Sequence, residues 1–359
     1  MHNTTLQINL SPGDINYAHL MVPHIVNTHR SNVDEVLAIV DCCRPEKTKC
    51  VDPDYRFPKE EFKKKSQKIR LIAEKLKQEG YLDRIIYLTV ENPILSKLSR
   101  KYLNNIVRQT HSAGGTGLMS YLAALELTNT RYLLHYDADM LIHQDNEYDW
   151  TIEAKNLLAQ HPQAIAATPR TSPLFSQNKD ITDAPSLNVE RPIISVKGGW
   201  RDDWFSSRCL LLDLSKLSDY YPLLQGNTAL IHVFGKYLHK IFPPHSGMLS
   251  LRTLIRSKKW WLKPKQLVKT FIWRYIYPVY PADFEILLFK TVGSRGGWRL
   301  NLCSEKAWLL HPVSKPSKYI EILPQIIAAV EKGKVPLTQR GYANINLSEW
   351  KNFVEQKVV

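Results

Sequence analysis

Three things are scarce in this chain: cysteine, long apolar runs and, across one stretch, acidic residues. Five cysteines occur in 359 residues (Cys42, Cys43, Cys50, Cys209 and Cys303), odd in number and irregularly spaced. That usage argues against a disulfide scaffold and points to free thiols in a reducing cytoplasm. The Cys42-Cys43…Cys50 trio lacks paired Cys-x-x-Cys spacing, which disfavours a zinc site. No stretch reaches 18 uncharged apolar residues, so no bilayer-spanning helix is expected. The first residues, Met1-His2-Asn3-Thr4-Thr5, show no basic region followed by an apolar run and do not read as a secretory signal. Internal repeats and low-complexity segments are also missing. The acid gap covers residues 220–282, which hold ten cations (Lys236, Lys240, Arg252, Arg256, Lys258, Lys259, Lys263, Lys265, Lys269 and Arg274) and not one Asp or Glu.

What is present suits a large α/β protein: 44% of residues are hydrophobic and 10% aromatic, enough to bury a sizeable core and to exclude a disordered chain. The formal charge of +14 is local, because 38 basic residues face 34 acidic ones outside the gap. Within it the cations interleave with Trp260, Trp261, Phe271, Trp273, Tyr275, Tyr277 and Tyr280. Interfacial helices have that composition, and each cation near an anionic leaflet adds on the order of 1 kcal/mol. A basic, mostly helical insert that meets a membrane surface, or an ordinary helical subdomain with solvated lysines, both fit.

Alternating strand-like and helix-like stretches predict a mixed, mainly parallel sheet flanked by helices. Strands are expected at residues 6–10, 35–40, 84–90, 131–136, 164–168 and 206–214, with one more inside 300–310. Helices are expected at 18–28, 60–80, 118–128, 150–160, 284–292 and 319–332. The Lys63, Lys64, Lys65 and Lys68 run reads first as the solvated face of the second of these, with a phosphate contact as the lesser alternative. One continuous sheet is expected to join residues 1–145 to 146–318, with 319–359 as a helical tail.

The most informative point is Asp137-Ala138-Asp139, delivered by the apolar run Tyr132-Leu133-Leu134-His135-Tyr136. Ligands of open α/β sheets bind beyond the carboxyl ends of strands. Two carboxylates there, separated by one small residue, can offer oxygens to a hard cation that also holds phosphate. Gly114-Gly115-Thr116-Gly117 opens a helix and suits either a phosphate cradle or a tight turn requiring positive φ. Its lack of a Gly-Lys-Ser/Thr ending disfavours a phosphate-loop NTPase. Gly198-Gly199-Trp200-Arg201-Asp202-Asp203-Trp204 combines aromatic faces with acids. Trp200, Asp202, Asp203 and Trp204 are therefore candidates for sugar or acceptor contacts, or members of a loop turn with buried tryptophans.

The order of Asp41 after a second strand, a glycine loop opening a helix, and a strand into Asp137-Ala138-Asp139 resembles the nucleotide-sugar glycosyltransferases of the GT-A fold, closest to family 2. Phe284-Glu285-Ile286-Leu287-Leu288, Gly296-Gly297-Trp298-Arg299-Leu300 and Ala307-Trp308-Leu309-Leu310-His311 follow that family's order of catalytic acid, glycine turn, strand and metal-binding histidine. The resemblance spans roughly residues 5–315. It implies a Rossmann-like sheet and Mn2+ or Mg2+ held by Asp139 and His311, with Asp137 on the ion or the ribose. It further implies Asp41 on the base, Ser11, Pro12, Gly13 and Asp14 along the nucleoside, and Gly114, Gly115 and Gly117 near the donor. Glu285, or alternatively Asp283, would be the base of an inverting transfer. The implied partners are a UDP-sugar and a glycan or lipid-linked acceptor, at the cytoplasmic membrane face; nucleic acid is not expected. Two rivals remain: a haloacid dehalogenase-type phosphohydrolase with Asp137 as nucleophile, and a non-catalytic basic protein binding membrane or nucleic acid.

Overall fold

A computed structural model describes residues 3–48, 50–173, 194–241 and 280–356. The first four strands are Thr4–Leu10 (β1), Glu35–Asp41 (β2), Arg84–Leu88 (β3) and Tyr132–Asp137 (β4). Next come Leu141–Gln144 (β5), Ala164–Thr168 (β6), Ile194–Val196 (β7) and Gly199–Asp202 (β8). Cys209–Asp213 (β9), Trp298–Leu302 (β10) and Ala307–Leu310 (β11) complete the set among the described residues.

One sheet runs in the order β3-β2-β1-β4-β9-β6-β10-β8-β7, and a second pairs β11 with β5. In the large sheet β8 and β9 oppose the other strands, so the sheet is mixed and mainly parallel. It carries strands from both halves of the chain. β1, β2 and β4 are almost wholly buried, as strands covered by helices on both faces must be. Leu6, Ile8, Val36, Ala38, Leu134, Tyr136, Trp298 and Leu300 share one core with residues of the helices Ala18–His29 and Lys59–Gln78. Leu37, Ile39 and Leu133 point to the opposite core, shared with the helices Ile94–Leu103, Met119–Leu127 and Phe284–Thr291. Helix Met119–Leu127 is buried at most positions, which explains why its sequence is apolar all round rather than striped.

Several elements differ from the sequence reading. Residues 300–310 hold parts of two strands in different sheets, β10 and β11, separated by a turn that moves the chain from one sheet to the other. The Gly198-to-Trp204 segment is largely strand β8, paired antiparallel with β10. Helix Ile94–Leu103 and strand β5 were not anticipated: the first is short and polar on one face, the second only 4 residues long. Helix Gly226–Ile241 begins the basic insert. Residues 242–279, with most of the cations and Trp260, Trp261, Phe271, Trp273, Tyr275 and Tyr277, lie outside the described residues. The C-terminal helix Leu347–Glu355 packs on helix Ser317–Glu331 through Trp350, Leu323 and Ile326. Among the described residues no helix is long and apolar enough to cross a membrane.

The close pairing of β8 with β10 depends on Gly199, where an added Cβ would stand 1.9 Å from the Asn301 carbonyl oxygen. Gly199→Ala should therefore cost on the order of 2 kcal/mol by overpacking. Gly114→Ala, whose nearest new neighbour would be Ser112 Oγ at 3.7 Å, should change stability by less than about 0.5 kcal/mol. Urea denaturation of the two variants checks this; equal effects would contradict it.

Candidate functional site

Two clefts meet at the carboxyl end of β4. The first, about 520 Å³, is lined by Ser11, Pro12, Gly13, Asp14, Asp41, Gly115, Gly117, Asp137 and Asp139, among others. The parallel pairing of β1 with β2 and β4 makes this convergence unavoidable, since all three strands empty at the same edge. The second, about 510 Å³, is lined by Trp200, Asp202, Trp204, Glu285 and His311 together with Arg299 and Asn301. Gly114, Asp203 and Asp283 line neither cleft. Asp203 instead accepts from Arg201 Nε at 2.9 Å, and Asp283 stands at the N-cap position of helix Phe284–Thr291 without a side-chain capping bond, its Oδ1 buried and without a partner among the described residues.

In the first cleft each carboxylate is held differently. Ser11 donates to Asp14 Oδ2 through its N–H (2.6 Å) and its hydroxyl (2.9 Å), and the Tyr17 hydroxyl donates to Asp14 Oδ1. Burial pushes the Asp14 carboxyl up to about 6, with the charge of Asp139 adding to it and the bonds from Tyr17 and Ser11 opposing it. Asp41 Oδ1 accepts from the Cys43 N–H at 2.9 Å. Its Oδ2 is buried without a hydrogen bond, 3.7 Å from His111 Nε2. Burial raises the Asp41 carboxyl, and the proximity of His111 offsets part of that; burial lowers the His111 imidazole, and Asp41 pulls it partly back.

The glycine loop has the backbone geometry of a tight turn. Gly115 has φ +84°, the left-handed turn conformation, and a Cβ on Gly117 would fall 2.7 Å from Ser120 Oγ and 3.0 Å from Asp41 Oδ2. Gly117 thus keeps space open beside the unpaired carboxylate oxygen.

Asp137 Oδ1 accepts from the Tyr121 hydroxyl at 2.8 Å and lies 3.3 Å from His135 Nε2. His135 Nδ1 is hydrogen-bonded to Gln7 Oε1, so the ring spans Gln7 and Asp137. Burial, reinforced by Asp137, holds the Tyr121 phenol far above its ordinary range, so it remains a donor. Tyr121 also connects the clefts. Ser207 Oγ lies 3.3 Å from the Tyr121 oxygen and 3.0 Å from Glu285 Oε1, and the Ser207 N–H donates to the same Glu285 oxygen at 2.7 Å.

His311 reaches Asp139 because β11 pairs antiparallel with β5, placing Leu310 opposite Leu141 at the end where both residues sit. Its backbone is pinned by the C-terminal segment: the His311 N–H donates to Ala343, and the Ile345 N–H donates back to His311. His311 Nε2 stands 3.8 Å from Asp139 Oδ2, and its buried Nδ1 has no partner among the described residues. Lys315 Nζ lies 2.6 Å from the same Asp139 oxygen. Among the described residues no three His, Cys, Asp or Glu side chains converge to hold a metal by themselves. Divalent cations in phosphate sites commonly take one or two carboxylates and complete their shell with water and phosphate. The Asp139–His311 pair fits such an open seat and does not fit an all-protein cage.

Arg56, Lys65 and Lys315 also line the first cleft, and Arg299, Asn301 and Arg208 the second; none was singled out from the sequence. The lysine run hid Lys65 among solvated neighbours. For Arg299 and Asn301 a signal existed: in Trp298-Arg299-Leu300-Asn301-Leu302 the polar residues alternate with apolar ones and so share one strand face.

No family model and no curated relative matches the sequence. Solved structures are similar over part of their length, two of them as follows. The galactosyltransferase LgtC, in complex with donor and acceptor sugar analogs, is 13% identical over 60% of this chain and 59% of its own, with a TM-score of 0.29. Mouse xyloside xylosyltransferase 1, in its apo form, is 11% identical over 81% of each chain, with a TM-score of 0.31. At these scores the superpositions carry no weight for individual residues, which rest on the geometry above.

A proton titration tests the Asp41–His111 arrangement. The His111 imidazole should titrate below its ordinary value of 6.5, and Asp41→Asn should lower it further by removing the charge that stabilises the protonated ring. Histidine NMR resonances followed against pH give the answer; an upward shift in the variant would contradict it.

Proposed function

We propose that the chain is a metal-dependent glycosyltransferase of the GT-A type that moves a sugar from a nucleoside diphosphate sugar, UDP favoured, to an acceptor hydroxyl with inversion. The observation that carries this reading is a pair of clefts of similar size that adjoin where Asp139, lining one, stands 3.8 Å from His311, lining the other; the first is lined by acids and a glycine loop, the second by Glu285 and aromatic rings. In the first, the unpaired Asp41 Oδ2 suits an N–H of a nucleobase, and the loop of Ser11 to Asp14 lies along the nucleoside. Asp139 and His311, with Asp137 beside them, would hold Mn2+ or Mg2+, which when bound neutralises the charge that grows on a departing diphosphate. Lys315 is placed to follow the same charge.

In the second cleft Glu285 is assigned the base. One of its oxygens is fixed by Ser207, which leaves the other to take the acceptor proton as the hydroxyl attacks the anomeric carbon. Asp283 is set aside for this role because it lines neither cleft.

Asp139→Asn should abolish both UDP-sugar turnover and Mn2+-dependent UDP binding. Glu285→Gln should lower kcat by about 100-fold or more with UDP binding kept, in line with loss of a general base. Coupled detection of released UDP and calorimetric UDP titration measure these. Undiminished turnover in Asp139→Asn would end the metal assignment, and cleavage of simple phosphate esters in place of UDP-sugars would favour a phosphohydrolase.

A lipid-linked or glycan acceptor at the cytoplasmic membrane face accompanies this reading. Helix Gly226–Ile241 exposes Leu230, Ile231, Val233, Phe234 and Tyr237 at the start of the acid-free stretch. Flotation should recover the protein with anionic vesicles and much less with neutral ones; equal recovery, or none, would remove the electrostatic docking.

A further inference from the structure

Strands β8 and β10 build a two-by-two block of side chains that none of the proposed chemistry requires. In their antiparallel register Asp202 stands opposite Arg299 and Trp200 opposite Asn301. Residues two apart on a strand share a face, so all four look the same way. All four line the second cleft and are buried: Trp200 is 3% exposed, Asp202 7%, Arg299 4% and Asn301 2%.

Their hydrogen bonding is incomplete. Arg299 Nη2 donates to Asp202 Oδ2 at 2.8 Å, while Arg299 Nε and Nη1, Asn301 Nδ2 and Oδ1, and Trp200 Nε1 have no partner among the described residues. Buried polar atoms are nearly always satisfied, because leaving them unpaired opposes folding. Five such atoms on one wall of one cavity mark where an external molecule completes the set.

The chemistry of the wall narrows what that molecule is. Arg299, Asn301 and Trp200 present donors, Asn301 Oδ1 and the second Glu285 oxygen present acceptors, and all are held on a rigid sheet or a helix start. Hydroxyl groups, each able to donate and accept, match that mixture. Charge decides against an anion: the buried Arg299 is already paired with Asp202, Glu285 adds a carboxylate, and the remaining cation, Arg208, is exposed. With Arg299 and Arg208 set against Asp202 and Glu285, the lining therefore carries no net positive charge.

We infer that the second cleft recognises a neutral sugar ring bearing adjacent hydroxyls, read by Arg299, Asn301 and Trp200, and that it discriminates against uronic acids and sugar phosphates. This rests on the transfer reading for the assignment of the cleft to a sugar. The ring belongs either to the donor or to the acceptor, and the two are separable.

Asn301→Leu and Trp200→Phe are the informative variants, since removal of Arg299 would strand Asp202. Calorimetry and saturation-transfer NMR would compare methyl glucoside and methyl galactoside with glucuronate and glucose 6-phosphate. UDP-glucose and UDP-galactose would be compared with UDP-glucuronate and UDP. Neutral sugars should bind at least tenfold more tightly than their anionic counterparts, and each variant should erase most of that affinity. Loss confined to the methyl glycosides assigns the ring to the acceptor; collapse of the gap between UDP-sugar and UDP assigns it to the donor. Asn301→Leu should also leave the melting temperature unchanged or raise it, because it removes two unpaired buried groups; a structural asparagine would give the opposite. Equal binding of anionic sugars, no neutral-sugar binding by the wild type, or unchanged affinity in both variants would overturn the inference. Failure of UDP itself to bind would instead count against the transfer reading and leave the methyl glycoside arm intact.

Discussion

Charge taken out of water at the edge of a sheet is the constraint on which this structure turns. Asp14, Asp41, Asp137, Asp139, Asp202 and Glu285 line the two clefts, and Asp41 and Asp202 are nearly inaccessible to solvent. A buried carboxylate is tolerated only with donors or a countercharge. Local structure supplies them: a capping turn for Asp14, a backbone N–H for Asp41, a tyrosine for Asp137, a lysine for Asp139, an arginine for Asp202 and a serine for Glu285. What is left over is as informative as what is paired. Among the buried polar groups without a partner in the described residues, Asp41 Oδ2, His311 Nδ1 and the wall formed by Arg299, Asn301 and Trp200 are those that line the two clefts.

The topology explains why these groups meet. Parallel strands β1, β2 and β4 end at one edge and deliver Ser11, Asp41 and Asp137 side by side. Strand β5 continues from the Asp137-Ala138-Asp139 turn and pairs with β11, which brings His311 back across the chain to Asp139. The C-terminal segment then closes over His311 through two backbone hydrogen bonds and adds Ala343 and Asn344 to the second cleft. Tyr121, bonded to Asp137 and near Ser207, ties the end of β4 to Glu285, so the two clefts share a wall.

Much of this was legible in the sequence where a local pattern carried the information. The apolar run before Asp137 announces a buried strand and so places the acids at its exit. The Ser11-Pro12-Gly13-Asp14 breaker and the glycine loop announce turns at that same edge. Long-range pairing left weaker traces. Nothing near Trp200 says that it will face Asn301, and a 4-residue β5 is too short to show a period. The segment of residues 198–204 therefore read as a loop, although β10 makes it a strand. Lys65 and Arg56 face the first cleft because of how helix Lys59–Gln78 and the turn before it pack, which spacing along the chain does not encode.

The central claim is that these two clefts act together as donor and acceptor sites around Asp139 and Glu285. Proton NMR of the anomeric signal, recorded during incubation with an α-linked UDP-sugar, Mn2+ and sugar acceptors, tests it most directly. The account predicts release of UDP together with a new β-anomeric linkage. A product that keeps the α configuration, or release of inorganic phosphate without UDP, would contradict it.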